Sequence, residues 1–102
     1  MQKQGFFAAI NSIRAIGLDG RIPLFMVIGQ FGREWSNLGH DPRTSKRLMV
    51  RMLEPLLETF DIPYWRLESL ADRENIGIAS EAAYKRGGGP TALIVGHFVG
   101  LN

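Results

Sequence analysis

Residues 21–32 read RIPLFMVIGQFG, and the fold turns on how that stretch is taken. Ile22 to Ile28 is continuously apolar and rich in branched side chains. A membrane span needs about 20 apolar residues, so this run is far too short for one. Its length and composition are those of a strand buried on both faces, as in parallel sheets. Gly29 and Gly32 then break the chain into a loop through Arg33, Glu34, Trp35, Gly39, His40 and Pro42.

Upstream, Phe6, Phe7, Ile10, Ile13 and Ile16 recur at helical spacing, supported by Ala8, Ala9 and Ala15. Gly17 and the Asp19-Gly20 pair are expected to stop that helix. Downstream, Thr44 or Ser45 is placed to cap a second helix. Its inward stripe is expected at Leu48, Met49, Met52, Leu53, Leu56, Leu57 and Phe60. Pro55 lies inside this pattern without an amide donor, which predicts a kink or two short helices meeting at Glu54.

Asp61-Ile62-Pro63 turns the chain into a short strand, Tyr64 to Leu67, with Trp65 expected in the core. Asp72 opens a third helix through Lys85, with Ile76, Ile78, Ala79, Ala82 and Ala83 inward. Gly87-Gly88-Gly89-Pro90 ends it, and Thr91 to Val95 reads as a last buried strand.

The order is therefore α-β-α-β-α-β, an α/β domain with three αβα layers and a parallel sheet. Residues 1–102 form one unit, but the first helix is a crossover helix with no leading strand. Three strands are also few beside the usual four to six. The pattern is that of an incomplete half of a larger α/β domain, or of a domain completed by a partner chain.

A hydrophobic fraction of 45% and a charged fraction of 22% are ordinary for a globular protein. Cysteine is absent, which removes disulfides and thiolate metal sites and fits a reducing compartment. With no signal-peptide pattern, a cytoplasmic location is expected and no membrane association. The net charge is +2, and the basic groups are spread out except for Arg43, Lys46, Arg47 and Arg51. Those four read as the solvent face of a helix or as an interface for an acidic partner, and they lack the dense aromatic-interleaved stripe of a nucleic-acid binder. The two histidines, His40 and His97, have no metal-ligand spacing, so no protein-held metal is expected. His40 beside Asp41 reads first as a turn feature.

In open α/β sheets, ligands bind outside the carboxyl ends of the strands. Three segments fall there: Gln2 to Gly5, Gly29 to Trp35, and Gly96-His97-Phe98. The first opens a helix, whose free amides and dipole favour an anion or polar group. The second offers Gln30, Arg33 and Glu34 on a loop freed by Gly29 and Gly32, side chains suited to a carboxylate or a polar ring.

In order, MQ-x-x-G-x-x-x-x-x-N, RIPLFMVIGQFGREW, MLEPLLETFDIPYW and PTALIVG resemble the pyrimidine-binding domain of thiamine-diphosphate-dependent decarboxylases, nearest the sulfopyruvate and phosphonopyruvate branch. The resemblance covers nearly the whole chain and only the second half of that domain. It implies that Gln2 ends a strand, and that Gln2, Gly5 and Asn11 line the cofactor or substrate edge. Gly29, Gln30, Arg33 and Glu34 would form the substrate-side loop. Lys3 and Gln4 stand where the family has Asn and Ser, and Phe7 and Ala8 where it has Gly and Asn. Phe6 and Phe7 suit a more apolar 2-oxo acid.

By the same resemblance, the cofactor is thiamine diphosphate and the chemistry is decarboxylation of a 2-oxo acid. The glutamate that activates the cofactor would lie outside this chain. Mg²⁺ would be held with the diphosphate by a partner domain or subunit in a homo- or hetero-oligomer. Two other readings stand beside this one. One is a non-catalytic interaction module that self-associates, and the other is a flavodoxin-like domain binding phosphate at the Gln2 to Gly5 helix mouth.

Overall fold

The computed structural model describes residues 2–30, 33–85 and 89–96. Helix α1 spans Lys3–Ile13 and runs on as a wider π turn, Arg14–Asp19. Strand β1 is Leu24–Gly29, α2 is Leu48–Thr59, β2 is Tyr64–Leu67, α3 is Glu74–Lys85 and β3 is Pro90–Val95. Short 3-10 turns at Trp35–Asn37, Pro42–Thr44 and Leu70–Asp72 shape the connections.

The three strands form one parallel sheet in the order β1-β3-β2. Even-numbered residues of β1 and β3, Met26, Ile28, Ala92 and Ile94, face α1 and α2. There they pack with Phe6, Ile13, Leu53, Leu57 and Ile62 in the larger core cluster. Leu93 and Leu67 point the other way, onto Ala79 of α3, with Trp65 half-buried beside them. The expected αβα layering is therefore present, with β3 as the fully covered central strand.

Several local expectations are corrected. The π turn admits an extra residue, so the buried stripe of α1 steps from Ile13 to Gly17 and leaves Ile16 exposed. Gly17 does not end the helix. A β-carbon there would come 3.1 Å from the Pro90 ring, so glycine permits the close approach of helix to sheet. The α2 stripe is also rotated: Val50, Leu53, Glu54 and Leu57 are buried, whereas Leu48, Met49 and Met52 are exposed. Glu54 holds a buried place on the inner face, paired with Arg66 as described below. The helix runs through Pro55 as one element, its cap position is Arg47 rather than Thr44 or Ser45, and α3 starts at Glu74, after Asp72. Ile76 and Ile78 face outward because Ala79 and Ala83 bring α3 close to the sheet on another side.

The sheet's two borders differ. Leu24 N–H bonds Gly89 O and Gln30 N–H bonds Val95 O, so even-numbered amides of β1 turn to β3 and odd-numbered ones turn outward. Gln2 meets this outer border in a parallel bridge to Gly29. Beyond it, Val27 is 41% exposed, so β1 is not buried on both faces. At the β2 border, Asn75 Nδ2 donates to Arg66 O at 2.7 Å, and Glu68 N–H donates to Asp72 Oδ2 at 3.0 Å. Side chains thus occupy that edge, a common guard against unwanted strand pairing.

Candidate functional site at the carboxyl edge of the sheet

The carboxyl ends of the strands gather Gln2, Gly29, Gln30, Arg33, Glu68 and Gly96. Gln2 has extended backbone (φ −82°, ψ 159°), and its carbonyl accepts from the amides of Gly5 and Phe6 at 3.0 and 3.2 Å. It is at once the end of a strand-like bridge and the start of α1. Its side chain lies over Gly29: a β-carbon on Gly29 would stand 2.8 Å from Gln2 Oε1. Glycine at that position makes room for the amide. Gln2, Val27, Gly29 and Val95 line an open hollow of about 370 Å³.

Gln30 follows directly. It is 3% exposed, and neither its Oε1 nor its Nε2 has a hydrogen-bond partner among the described residues. Buried polar groups are nearly always bonded, because an orphaned one costs roughly 1–3 kcal/mol. A buried primary amide with a donor and an acceptor both unused is suited to a ligand group offering the complementary pair.

Arg33 is committed elsewhere. Its guanidinium is buried and donates to Asn37 Oδ1 at 2.8 Å, to Asn37 O at 3.0 Å, to His40 O at 2.8 Å and to the Glu68 carboxylate. Asn37 in turn donates to Thr44 Oγ1 and to Asp41 O. The loop from Arg33 to Thr44 is wound around this side chain. Glu34 is committed as well. Its Oε1 accepts from the Ser45 hydroxyl and its Oε2 from Lys46 N–H at 2.6 Å, at the mouth of α2. The Ser45 hydrogen bond first, and then the Lys46 amide, hold the Glu34 carboxyl down at about 2. Ser45, expected to cap α2, instead bonds Glu34 and accepts from Arg47 N–H.

The residues singled out in the sequence are therefore only partly assembled. Gln2, Gly5, Gly29 and Gln30 cluster at one edge with Arg33 and Glu34 behind them. Asn11 lies nine positions beyond Gln2, about 13 Å along the axis at 1.5 Å per residue. It is exposed and accepts from Arg14 through Oδ1. Phe31, Gly32, His97 and Phe98 fall outside the described residues, as do Met1, Gly87 and Gly88.

Two features escaped sequence reasoning. Lys3 is buried at the same edge, and burial, then the charge of Arg47, lower its ammonium below the ordinary lysine range. Only its place directly after Gln2 hinted at this. The second is an ionic cluster between α2 and β2. Glu54, fully buried, accepts from Arg66 Nε at 2.8 Å and Arg66 Nη2 at 2.7 Å, and also from Tyr64 OH at 3.2 Å. Arg43, Asp41 and Glu58 complete it. The hydrogen bonds to Glu54 raise the Arg66 guanidinium further, and burial, then Glu54, raises the Tyr64 hydroxyl. Nothing in the local pattern of α2 signals a buried acid, because its partner lies on a strand 12 positions away.

Among the described residues, no group of three or more His, Cys, Asp or Glu is placed to hold a metal ion. No described helix is long and apolar enough to cross a membrane. No protein-family model matches the chain, and no curated protein matches it.

Proposed function

We propose that this chain supplies the pyrimidine-side contacts of a thiamine-diphosphate-dependent decarboxylase of a 2-oxo acid, acting with a diphosphate-binding partner domain or subunit. The observation that carries the reading is the side-chain amide of Gln2 laid over Gly29 at the rim of the open hollow that these two residues line with Val27 and Val95. A primary amide at that rim offers the adjacent donor and acceptor that a planar ring such as an aminopyrimidine would need. The ordered motifs of the sequence resemble those of a domain that binds that ring.

Gln2 would hold and orient the ring, Gly29 would leave room for the Gln2 amide, and Gln30 would support the edge from within. Arg33 and Glu34 act behind them as fixed posts that keep the loop in place and do not themselves exchange protons. Thiamine diphosphate, when bound, supplies the electron sink for decarboxylation. The Mg²⁺ expected with its diphosphate would be held by the partner. A cytoplasmic location belongs to the same reading.

The test is a titration of thiamine diphosphate with Mg²⁺ against the purified chain, with and without a candidate diphosphate-domain partner. Trp35, exposed on the loop, and Trp65 report by fluorescence. A saturable change in either arm supports the reading, and no change in both overturns it.

A second reading, a non-catalytic module that self-associates, is favoured by the exposed apolar surface. Val27 on the outer border of β1 and Leu48, Met49 and Met52 on α2 are all solvent-facing. It expects a homo-oligomer indifferent to the cofactor.

A further inference from the structure

Leu48 is 57% exposed, Met52 44% and Met49 38%, all on the outer side of α2, with Leu56 half-buried next to them. At 100° per residue, Leu48, Met52, Pro55 and Leu56 share one stripe, flanked on one side by Arg51 and Glu58. Charge is distributed unevenly along the same helix. Lys46, Arg47 and Arg51 stand at its amino end, and Glu58 and Asp61 at its carboxyl end. Both sets oppose the helix dipole, which favours acids at the amino end and bases at the carboxyl end. The arrangement costs α2 stability. Glu34 at the amino mouth and Arg43 on Glu58 at the carboxyl end answer part of this cost within the chain, and an antiparallel neighbour with the same charges answers more of it at both ends.

We propose that the outer face of α2 docks on α2 of a second copy of this chain, antiparallel across a two-fold axis near Glu54 and Pro55. That axis sets Met52 of one copy against Leu56 of the other, and Arg51 against Glu58. A two-fold contact uses the same patch on both copies, so one helix supplies both the apolar stripe and its complementary charges. The inference is independent of the cofactor reading and gives the self-association reading a specific surface. Glu58 keeps a side chain 52% exposed while it binds Arg43 and Tyr64, and Arg51 reaches its own chain through Nη1, by long bonds to the Ser45 and Lys46 carbonyls at 3.3 and 3.4 Å.

Sedimentation equilibrium of the full chain over a micromolar concentration series is expected to show a reversible dimer that weakens with salt. Leu48→Glu with Met52→Glu raises the dissociation constant by about tenfold or more, since truncation or charging of central interface residues dominates binding. Both positions are exposed, so circular dichroism should be unchanged. Should that pair fail to fold, Met52→Gln alone carries the same test. Arg51→Glu and Glu58→Arg each weaken the dimer, and the double reversal restores it. A monomer at every concentration overturns the proposal, as does a dimer indifferent to Leu48 and Met52. A double reversal no tighter than either single overturns the antiparallel pairing, whatever the outcome of the thiamine diphosphate titration.

Discussion

Arg33 and Glu68 form an ion pair across the carboxyl ends of β1 and β2, two strands that never touch because β3 lies between them. The pair joins residues 35 positions apart. It closes the edge of the sheet over the central strand and anchors the loop that follows β1.

Replacing Arg33 by methionine removes the pair and strands the carbonyls of Asn37 and His40. Breaking a buried pair from one side costs about 3–5 kcal/mol. Arg33→Lys should recover little of it, because an ammonium cannot reproduce the forked donor geometry. Urea unfolding midpoints of both variants measure this, and a loss below about 1 kcal/mol would contradict the role given to Arg33.

Gln30→Leu separates stability from binding. The substitution deletes an amide buried without partners, so the free chain should gain about 1 kcal/mol or more. The same change should abolish the fluorescence response to thiamine diphosphate. A destabilised variant would mean that the amide is satisfied in solution.

Gly29→Ala probes the same edge differently. The added methyl meets the far end of Gln2, a flexible side chain that can move aside, and not the backbone. Thermal stability should therefore change by no more than about 1 kcal/mol. Cofactor affinity should fall as Gln2 is displaced, and an unchanged titration would remove Gln2 from the site.

Glu34 makes the fold acid-sensitive in a defined window. Its folded carboxyl sits at about 2, against an ordinary value of 4.5. The unfolded chain therefore binds the proton more readily between those values. The contribution of Glu34 is fully present above about 4.5 and is lost as pH falls toward 2. Glu34→Gln should flatten the stability profile across that interval, and Ser45→Ala should shift the Glu34 carboxyl upward in an NMR titration.

The element order was legible because it depends on local periodicity: Leu24–Gly29 and Pro90–Val95 are apolar runs bounded by glycine or proline, and α1 and α3 carry helical spacing. What the sequence concealed depends on distant partners. Glu54 looks like a solvent residue until Arg66 is seen to reach it from β2, and Leu48 and Met52, which look like core residues, face out. Arg33 looks like a ligand-binding residue until Glu68 and two loop carbonyls are seen to use up its donors. Gln30, by contrast, stood in the predicted loop, and its lack of partners is visible only in three dimensions.

The unequal borders of the sheet give the protein a direction of growth. Asn75 and Asp72 occupy the backbone groups that a strand arriving at β2 would need. Beside β1, the backbone entering α1 at Gln2 already runs in the parallel sense. Peptides grafted ahead of Gln2 should therefore be drawn into the sheet, whereas the same peptides offered at β2 should not. For a split-protein reporter or a fused strand library, only the β1 border is a usable template.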